Sequence, residues 1–157
     1  MSASAQPFDA THAVKCELAS EVLRSSGTLR LRVMGWSMLP AIWPGDTLVV
    51  ERVESDPISA GDIVLYSRDR RLFAHRVVGK AVEDAGILTR GDALPQADPP
   101  VAERDLLGRI RFILRNGKCV EPAKTRHFSH RAVAALVRNS EIAARVVVGV
   151  HGMRRKF

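Results

Sequence analysis

Cysteine and aromatic residues are scarce in this chain. Its 157 residues include two cysteines, Cys16 and Cys119, and aromatic side chains make up 5% of the sequence. Two cysteines exclude a disulfide scaffold and a four-cysteine zinc site, and they fit reduced thiols in a cytosolic type of compartment. Because the aromatic residues are not interleaved with the arginines, we do not expect a base-stacking surface for nucleic acid.

Long apolar runs are also absent from the sequence. A transmembrane helix needs about 20 mostly apolar residues, and the best candidate, residues 132–150, is interrupted by Arg138, Glu141 and Arg145. The N-terminus lacks the charged start and apolar run of a secretion signal. We therefore expect a cytoplasmic protein, with peripheral membrane contact permitted through a basic C-terminal helix.

Positive charge exceeds negative charge. The chain has 24 Lys and Arg against 17 Asp and Glu, a formal net charge of +7. The basic residues are spread along the sequence, which favours a generally basic surface over a dedicated nucleic-acid site. With 46% hydrophobic and 26% charged residues, the chain has the ordinary composition of a globular domain that buries a core.

Short apolar segments separated by turn residues predict a mainly β fold, a coiled antiparallel sheet or barrel with a helix on either side. Residues 1–12 look like a loose tail, and Val14, Leu18, Val22 and Leu23 suggest one face of a helix over 14–26 that Gly27 ends. A second helix is expected over 128–150, and 96–104 is proline-rich and loop-like. The predicted strands are 29–34, 47–53, 63–67, 72–78, 87–90 and 106–114.

The predicted organisation has three parts. Residues 1–28 form a tail and helix, residues 29–120 form a β catalytic domain, and residues 121–157 form a basic helical extension. Residues 1–28 are too few for a helix-turn-helix domain before the first strand.

Ser37 is the first candidate for chemistry. It follows a predicted strand in a tight segment that ends at Pro40. A serine hydroxyl is a weak nucleophile at neutral pH and needs a base within hydrogen-bond reach. His75, on the same face of its predicted strand as Phe73 and Val77, carries a side chain of the type best suited to accept that proton.

An aspartate could hold the imidazole ring and stabilise its charged form. Asp92 lies in a Gly-Asp turn of a kind that recurs along the chain, and Asp98 lies in an irregular loop. Functional side chains are common in such loops, but spacing alone does not choose between the two carboxylates.

Five motifs occur in a fixed order: Gly-x-Ser-Met-x-Pro, Pro-Gly-Asp, Gly-Asp-Ile-Val-Leu-Tyr, His-Arg-Val-Val-Gly and Thr-Arg-Gly-Asp-Ala. In this order, over residues 29–111, the chain resembles the signal peptidase I superfamily, which also includes LexA-like self-cleaving repressors. It looks most like the branch of the endoplasmic reticulum, archaea and some sporulating bacteria, which uses a histidine where the usual bacterial enzymes use a lysine. The resemblance implies a coiled β fold and a serine endopeptidase of protein processing, and we expect neither a metal nor another cofactor.

The resemblance also implies roles for individual residues. Ser37 corresponds to the nucleophile and His75 to the general base. In that branch the catalytic aspartate lies six residues after the Gly-Asp aspartate, which here is Asp98, so Asp92 becomes a supporting residue. A lysine base is disfavoured on other grounds, because Lys80, the sole lysine between positions 16 and 117, faces away from His75 in a regular strand without a bulge.

The residues around Ser37 carry further implications. Trp36 and Met38 correspond to apolar positions of a groove that binds an extended peptide as an added strand. Family members often have a serine two positions before the nucleophile, whose hydroxyl helps to stabilise the oxyanion, and here that position is Gly35. Gly35 and the missing membrane anchor leave open an inactive relative that binds peptides. A self-cleaving repressor and a basic nucleic-acid-binding β domain are the further alternatives.

Overall fold

One long helix is followed by short strands. The computed structural model describes residues 7–53, 57–82 and 86–124, and these form one α-helix and seven strands. A short 3-10 turn, Glu103–Asp105, precedes the sixth strand. The elements are α1 (Pro7–Ser26), β1 (Thr28–Arg32), β2 (Thr47–Glu51), β3 (Ile63–Arg68), β4 (Arg71–Lys80), β5 (Ile87–Arg90), β6 (Leu106–Arg115) and β7 (Lys118–Val120).

All seven strands belong to one antiparallel sheet, in the order β1-β2-β6-β3-β4-β5, with β7 paired to β6. The predicted mainly β, antiparallel fold is therefore confirmed. Among the described strands the sheet is open rather than a closed barrel, since β1 and β5 lie at its two ends. The six predicted strands are present, and their ends differ from the prediction by no more than two residues.

The sheet is buried on both faces at β3. Successive strand residues point to opposite faces, so Ile63 and Leu65 enter the main core while Val64 and Tyr66 enter a second cluster with Val77. A strand covered on both sides is apolar throughout rather than alternating, which is the pattern of Ile-Val-Leu-Tyr. Residues packing in the main core also include Leu23, Met38, Ile42, Leu48, Val50, Ile110 and Ile113.

Helix α1 differs from the prediction at its start and on its buried face. It begins at Pro7, so part of the predicted tail is helical. Ala19 and Leu23 face the sheet, whereas Val14 and Leu18 are each 61% exposed. The predicted face was right at Leu23, which enters the main core, and wrong at Val14 and Leu18, because the buried stripe reaches Leu23 through Ala19 instead.

Strand β7 was not predicted, although the sequence contains a signal for it. Asn116 and Gly117 both have positive φ, at 51° and 73°, as a two-residue hairpin turn requires. The expected helix over 128–150 lies outside the described residues, and the division into three parts stays a prediction. Within the described part of the chain, no helix combines the length and apolarity needed to cross a bilayer.

Candidate active site

Ser37 lies in a loop that is closed at its base. The Val33 N–H donates to the Asp46 carbonyl at 2.8 Å, and the Gly45 N–H donates to the Val33 carbonyl at 2.8 Å. Gly45 has a φ of +89°, a conformation that favours glycine. These bonds continue the β1–β2 pairing beyond the strand ends and fix the loop that carries the serine.

The Asp46 side chain anchors the same loop from inside. It is fully buried and accepts a hydrogen bond from the Trp43 N–H at 2.8 Å. Arg115 of β6 reaches it with Nη2 at 2.7 Å and Nε at 3.1 Å, and also donates to the Ala41 carbonyl at 2.9 Å. A two-pronged guanidinium of this kind fixes orientation as well as charge. The Pro-Gly-Asp motif therefore stabilises the loop that carries Ser37.

His75 faces Ser37 from β4. The ring is buried, and its Nε2 lies 3.0 Å from the Ser37 Oγ. Its Nδ1 lies 2.7 Å from Asp98 Oδ2. A proton on Nδ1 lets the ring donate to the carboxylate and leaves Nε2 to accept the serine proton, which is the arrangement of a hydroxyl, a base and an orienting acid.

The Asp98 loop is held at both its backbone and its side chain. The Asp98 N–H donates to the Thr89 carbonyl at 2.7 Å, and the Thr89 hydroxyl donates to Asp98 Oδ2 at 2.7 Å. Further along the loop, Arg68 Nη2 donates to the carbonyls of Pro99 and Pro100. Edge strand β5 thus supplies a hydroxyl to the carboxylate that faces His75.

Burial and hydrogen bonding act in opposite directions on Asp98. Burial by itself raises the pKa of this carboxyl, but hydrogen bonds from His75 and Thr89, with the His75 charge, hold its pKa below the ordinary value. Burial, the largest effect, and the nearby Asp98 charge raise the pKa of Tyr66 to about 12. The Tyr66 hydroxyl therefore keeps its proton, 3.3 Å from His75 Nδ1.

Asp92 has a different partner. Its carboxylate accepts two hydrogen bonds from Arg76, from Nε at 2.9 Å and from Nη2 at 2.8 Å, and both side chains are buried. The turn that carries Asp92 contacts the nucleophile through its backbone: the Ala93 N–H donates to the Ser37 carbonyl at 2.9 Å. A Cβ on Gly91 would lie 2.6 Å from that same carbonyl oxygen. The close approach therefore requires glycine.

An apolar cleft of about 390 Å³ opens beside Ser37 and His75. Of the two apolar residues that flank the serine, Met38 lines this cleft and Trp36 is not among its lining residues. Gly35 lines it too, and a Cβ there would meet nothing within 4 Å. The cleft has the size of a small-ligand site and brings its occupant beside the serine hydroxyl.

Lys80 lies on the same face of β4 as His75, whereas the sequence predicted the opposite face. The β4–β5 register shifts between Val77 and Gly79, so Lys80 pairs with Ile87 and shares the face of Thr89. A bulge reverses the alternation of side chains along a strand. Lys80 is nevertheless exposed, and it lies five positions along the strand from His75, a distance of about 16 Å.

Sequence reasoning missed two polar contributors to the site, Thr89 and Tyr66. Both occur inside motifs that carry the family resemblance, Thr-Arg-Gly-Asp-Ala and Gly-Asp-Ile-Val-Leu-Tyr. A threonine and a tyrosine in strands are ordinary β residues, so their hydroxyls became informative once the structure showed them beside Asp98 and His75.

Two comparisons with known proteins identify the family of the chain. The Peptidase S24-like family matches residues 2–88, more than half of the chain. The signal peptidase complex catalytic subunit SEC11C of Homo sapiens is 31% identical over 106 residues, which cover 59% of this chain and 55% of that protein. The SEC11C proteins of Canis lupus familiaris and Mus musculus match equally well. The chain spans about half the length of these curated relatives. The match confirms the resemblance seen in the motifs, and the chain belongs to the Peptidase S24-like family of signal peptidase and LexA-like serine peptidases.

Proposed function

We propose that the chain is a serine endopeptidase of the signal peptidase type, which hydrolyses a peptide bond through Ser37, His75 and Asp98. The observation that carries the proposal is the pair of hydrogen bonds that links the Ser37 hydroxyl, the His75 ring and the Asp98 carboxylate. Family membership and the likeness to a signal peptidase subunit support it. The cleft beside Ser37 offers a binding place for an extended peptide or protein segment.

The first half of the reaction forms an acyl-enzyme. Ser37 Oγ attacks the substrate carbonyl carbon while His75 Nε2 accepts the hydroxyl proton. The Asp98 carboxylate stabilises the imidazolium and holds the productive tautomer. His75 then gives the proton to the leaving amine, the C–N bond breaks, and an ester on Ser37 remains.

The second half regenerates the enzyme. Neutral His75 accepts a proton from a water molecule, which attacks the ester carbonyl. The proton then returns to Ser37 Oγ as the acid product leaves. The same ring nitrogen therefore serves both halves of the reaction.

Backbone amides are the proposed donors to the oxyanion. The Leu39 N–H donates to the Trp36 carbonyl at 3.0 Å, which closes a tight turn with Ser37 and Met38 at its two central positions. Among the described residues, neither central N–H has a hydrogen-bond acceptor. Both amides are thus available to a developing oxyanion beside the serine.

Gly35 favours a second candidate function, a relative that binds extended peptides and cleaves them slowly or not at all. A glycine offers no hydroxyl to the oxyanion, and loss of one such donor typically costs about 100- to 1000-fold in turnover. Binding in the cleft needs no oxyanion donor. The two candidates therefore differ in turnover and agree in peptide binding.

The test compares the full-length chain with Ser37→Ala, His75→Ala and Asp98→Asn on a library of extended peptides, with new termini identified by mass spectrometry. We expect turnover to fall by about 10⁴-fold for each variant. Ser25→Ala, an exposed serine of α1, is the matched control and should cleave like the parent. Peptide binding without new termini in the parent would establish the second candidate, and equal cleavage by parent and Ser37→Ala would overturn the proposal.

The partner and the location stay predictions. An extended peptide or protein substrate is the expected partner, and no nucleic acid is expected. The peripheral membrane contact that the sequence permits would involve residues 128–150, which lie outside the described residues. Fractionation of cells that carry the tagged full-length chain checks the expected cytoplasmic location.

A further inference from the structure

We infer that the cleft beside Ser37 selects peptides in which acidic side chains flank an apolar residue. This inference rests on the proposed function, since it names the class of substrate for the same site. It follows from the contrast between the floor of the cleft and its rim. The cationic residues concerned come from three separate elements, so no local stretch of the sequence indicates this cluster.

The floor of the cleft is apolar. Apolar residues from β1, β2, β3 and β4 and from the Ser37 loop make up most of the lining, together with Ser37 and His75. An apolar substrate side chain gains by leaving water for such a surface. The floor residues include Leu31, Val33, Met38, Leu48, Leu65 and Leu72.

Three cations form the rim, which we call the cationic rim: Lys15 of α1, Arg32 of β1 and Arg71 of β4. All three are exposed. Among the described residues, no carboxylate pairs with any of them, and the lining of the cleft contains neither aspartate nor glutamate. The mouth of the cleft therefore presents positive charge that the described part of the fold leaves uncompensated.

Charge of one sign around a concave site attracts ligands of the opposite sign more strongly than the same charge on a flat surface. A peptide that places an apolar side chain on the floor would bring its neighbouring side chains to the rim. Carboxylates there meet the cations, while lysine or arginine meets like charge, which disfavours it. Each exposed ion pair is weak by itself, so we expect each cation to increase the affinity for the acidic peptide by about two- to fivefold.

An anionic lipid surface is the alternative ligand for these three cations. The concave arrangement favours the peptide, because the three residues line the same cleft as Ser37 and His75. A lipid surface would also engage cations outside the cleft, such as Arg30, which is exposed on β1 two residues before Arg32 and does not line the cleft. Arg30 is therefore the matched control.

The experiment measures binding on the full-length Ser37→Ala chain, so that it does not depend on turnover. The probes are two fluorescent peptides with the same Leu-Ala centre, one flanked by glutamates and one by glutamines. We expect the glutamate peptide to bind about tenfold more tightly, with a preference that weakens as salt rises. The single changes Lys15→Gln, Arg32→Gln and Arg71→Gln should each reduce the preference, the triple change should abolish it, and Arg30→Gln should leave it intact.

Several outcomes would overturn the inference. Equal binding of both peptides is one, and a preference that survives the triple change is another. Equal loss from Arg30→Gln and Arg32→Gln, together with loss of binding to vesicles that contain phosphatidylserine, would assign the cations to a lipid surface. The binding assay uses Ser37→Ala and so does not depend on cleavage. If the glutamate peptide binds more tightly but the parent chain cleaves no peptide, the proposed hydrolysis is overturned and this inference stands.

Discussion

Asp92 and Asp98 are six positions apart, yet their side chains serve different partners. Asp92 is buried against Arg76, a pair that fixes the turn beneath the Ser37 carbonyl. Asp98 faces His75 and receives the Thr89 hydroxyl. Residue spacing left the choice between these carboxylates open, because both follow the same strand and spacing does not show which one approaches His75. The family resemblance selected Asp98, and its contacts are those that an orienting carboxylate needs.

Thr89→Val tests the role of the threonine in positioning Asp98. Valine keeps the shape and removes a hydrogen bond to a charged acceptor, so we expect the pKa of Asp98 to rise and kcat to fall by about tenfold. Thr89→Ser, which keeps the hydroxyl, should restore most of the activity. Peptide cleavage assays and a carboxyl NMR titration measure the two effects. An unchanged Asp98 pKa in Thr89→Val would show that the hydroxyl has no such role.

Gly35→Ser tests the missing oxyanion donor. A Cβ at Gly35 meets nothing within 4 Å and the backbone has no positive φ there, so a side chain fits without strain. A hydroxyl at this position should raise kcat by about 10- to 100-fold. Gly35→Ala provides the comparison, since it adds the Cβ without the hydroxyl. Equal kcat values for the two variants would rule out a donor role at position 35.

At the scale of elements, loops rather than strands carry most of the site. Ser37 and Asp98 lie in the loops that follow β1 and β5, and strand β4 supplies His75. Strand alternation predicted the face of His75 correctly, and that residue packs with Phe73 and Tyr66. The same rule failed for Lys80, because a bulge between Val77 and Gly79 reverses the alternation. Gly79, an isolated glycine inside the strand pattern, suggests a bulge but does not fix which residue it displaces.

Arg115→Met tests how β6 supports the Ser37 loop. The change removes the guanidinium that pairs with the fully buried Asp46 carboxylate, and removal of one partner of a buried ion pair costs about 3 kcal/mol. We therefore expect a lower free energy of unfolding by urea denaturation. Arg111→Met, at an exposed position of the same strand, should have little effect. Equal stability of the two variants would contradict the anchoring role of Arg115.

The whole molecule brings its site together through the curvature of the sheet. In the sheet order β1-β2-β6-β3-β4-β5, the strand before Ser37 and the strand of His75 are separated by three others. A flat sheet would hold β1 and β4 about 19 Å apart. Curvature of the sheet, together with the loop that carries Ser37 five positions beyond the end of β1, accounts for the 3.0 Å hydrogen bond between Ser37 and His75.

Acid stability is a property of the whole fold to which Asp62 contributes. Burial by itself raises the pKa of Asp62, but the Ser59 N–H, Lys124 and Arg109 hold it below the ordinary value. Because the folded pKa lies below the unfolded one, ionised Asp62 stabilises the fold at pH above about 4, and that stabilisation is lost as pH falls through the folded pKa. We expect Asp62→Asn to be less stable at pH 7 and to lose less stability on acidification.

Urea denaturation between pH 7 and pH 2.5 measures this difference. Asp69→Asn is the control, since Asp69 lies exposed in the β3–β4 turn with a positive φ that asparagine tolerates. Its stability should follow that of the parent across the pH range. Parallel curves for Asp62→Asn and the parent would contradict the contribution of Asp62.

The sequence by itself determined the β class, the strand positions and the motifs around Ser37 and His75, because apolar alternation and turn residues act locally. It could not determine which apolar stripe of α1 packs on the sheet, where β4 bulges or that Lys15, Arg32 and Arg71 meet at one cleft. Those features depend on which surfaces approach when the sheet coils. That packing is settled by contacts between residues far apart in the chain, and no local pattern encodes it.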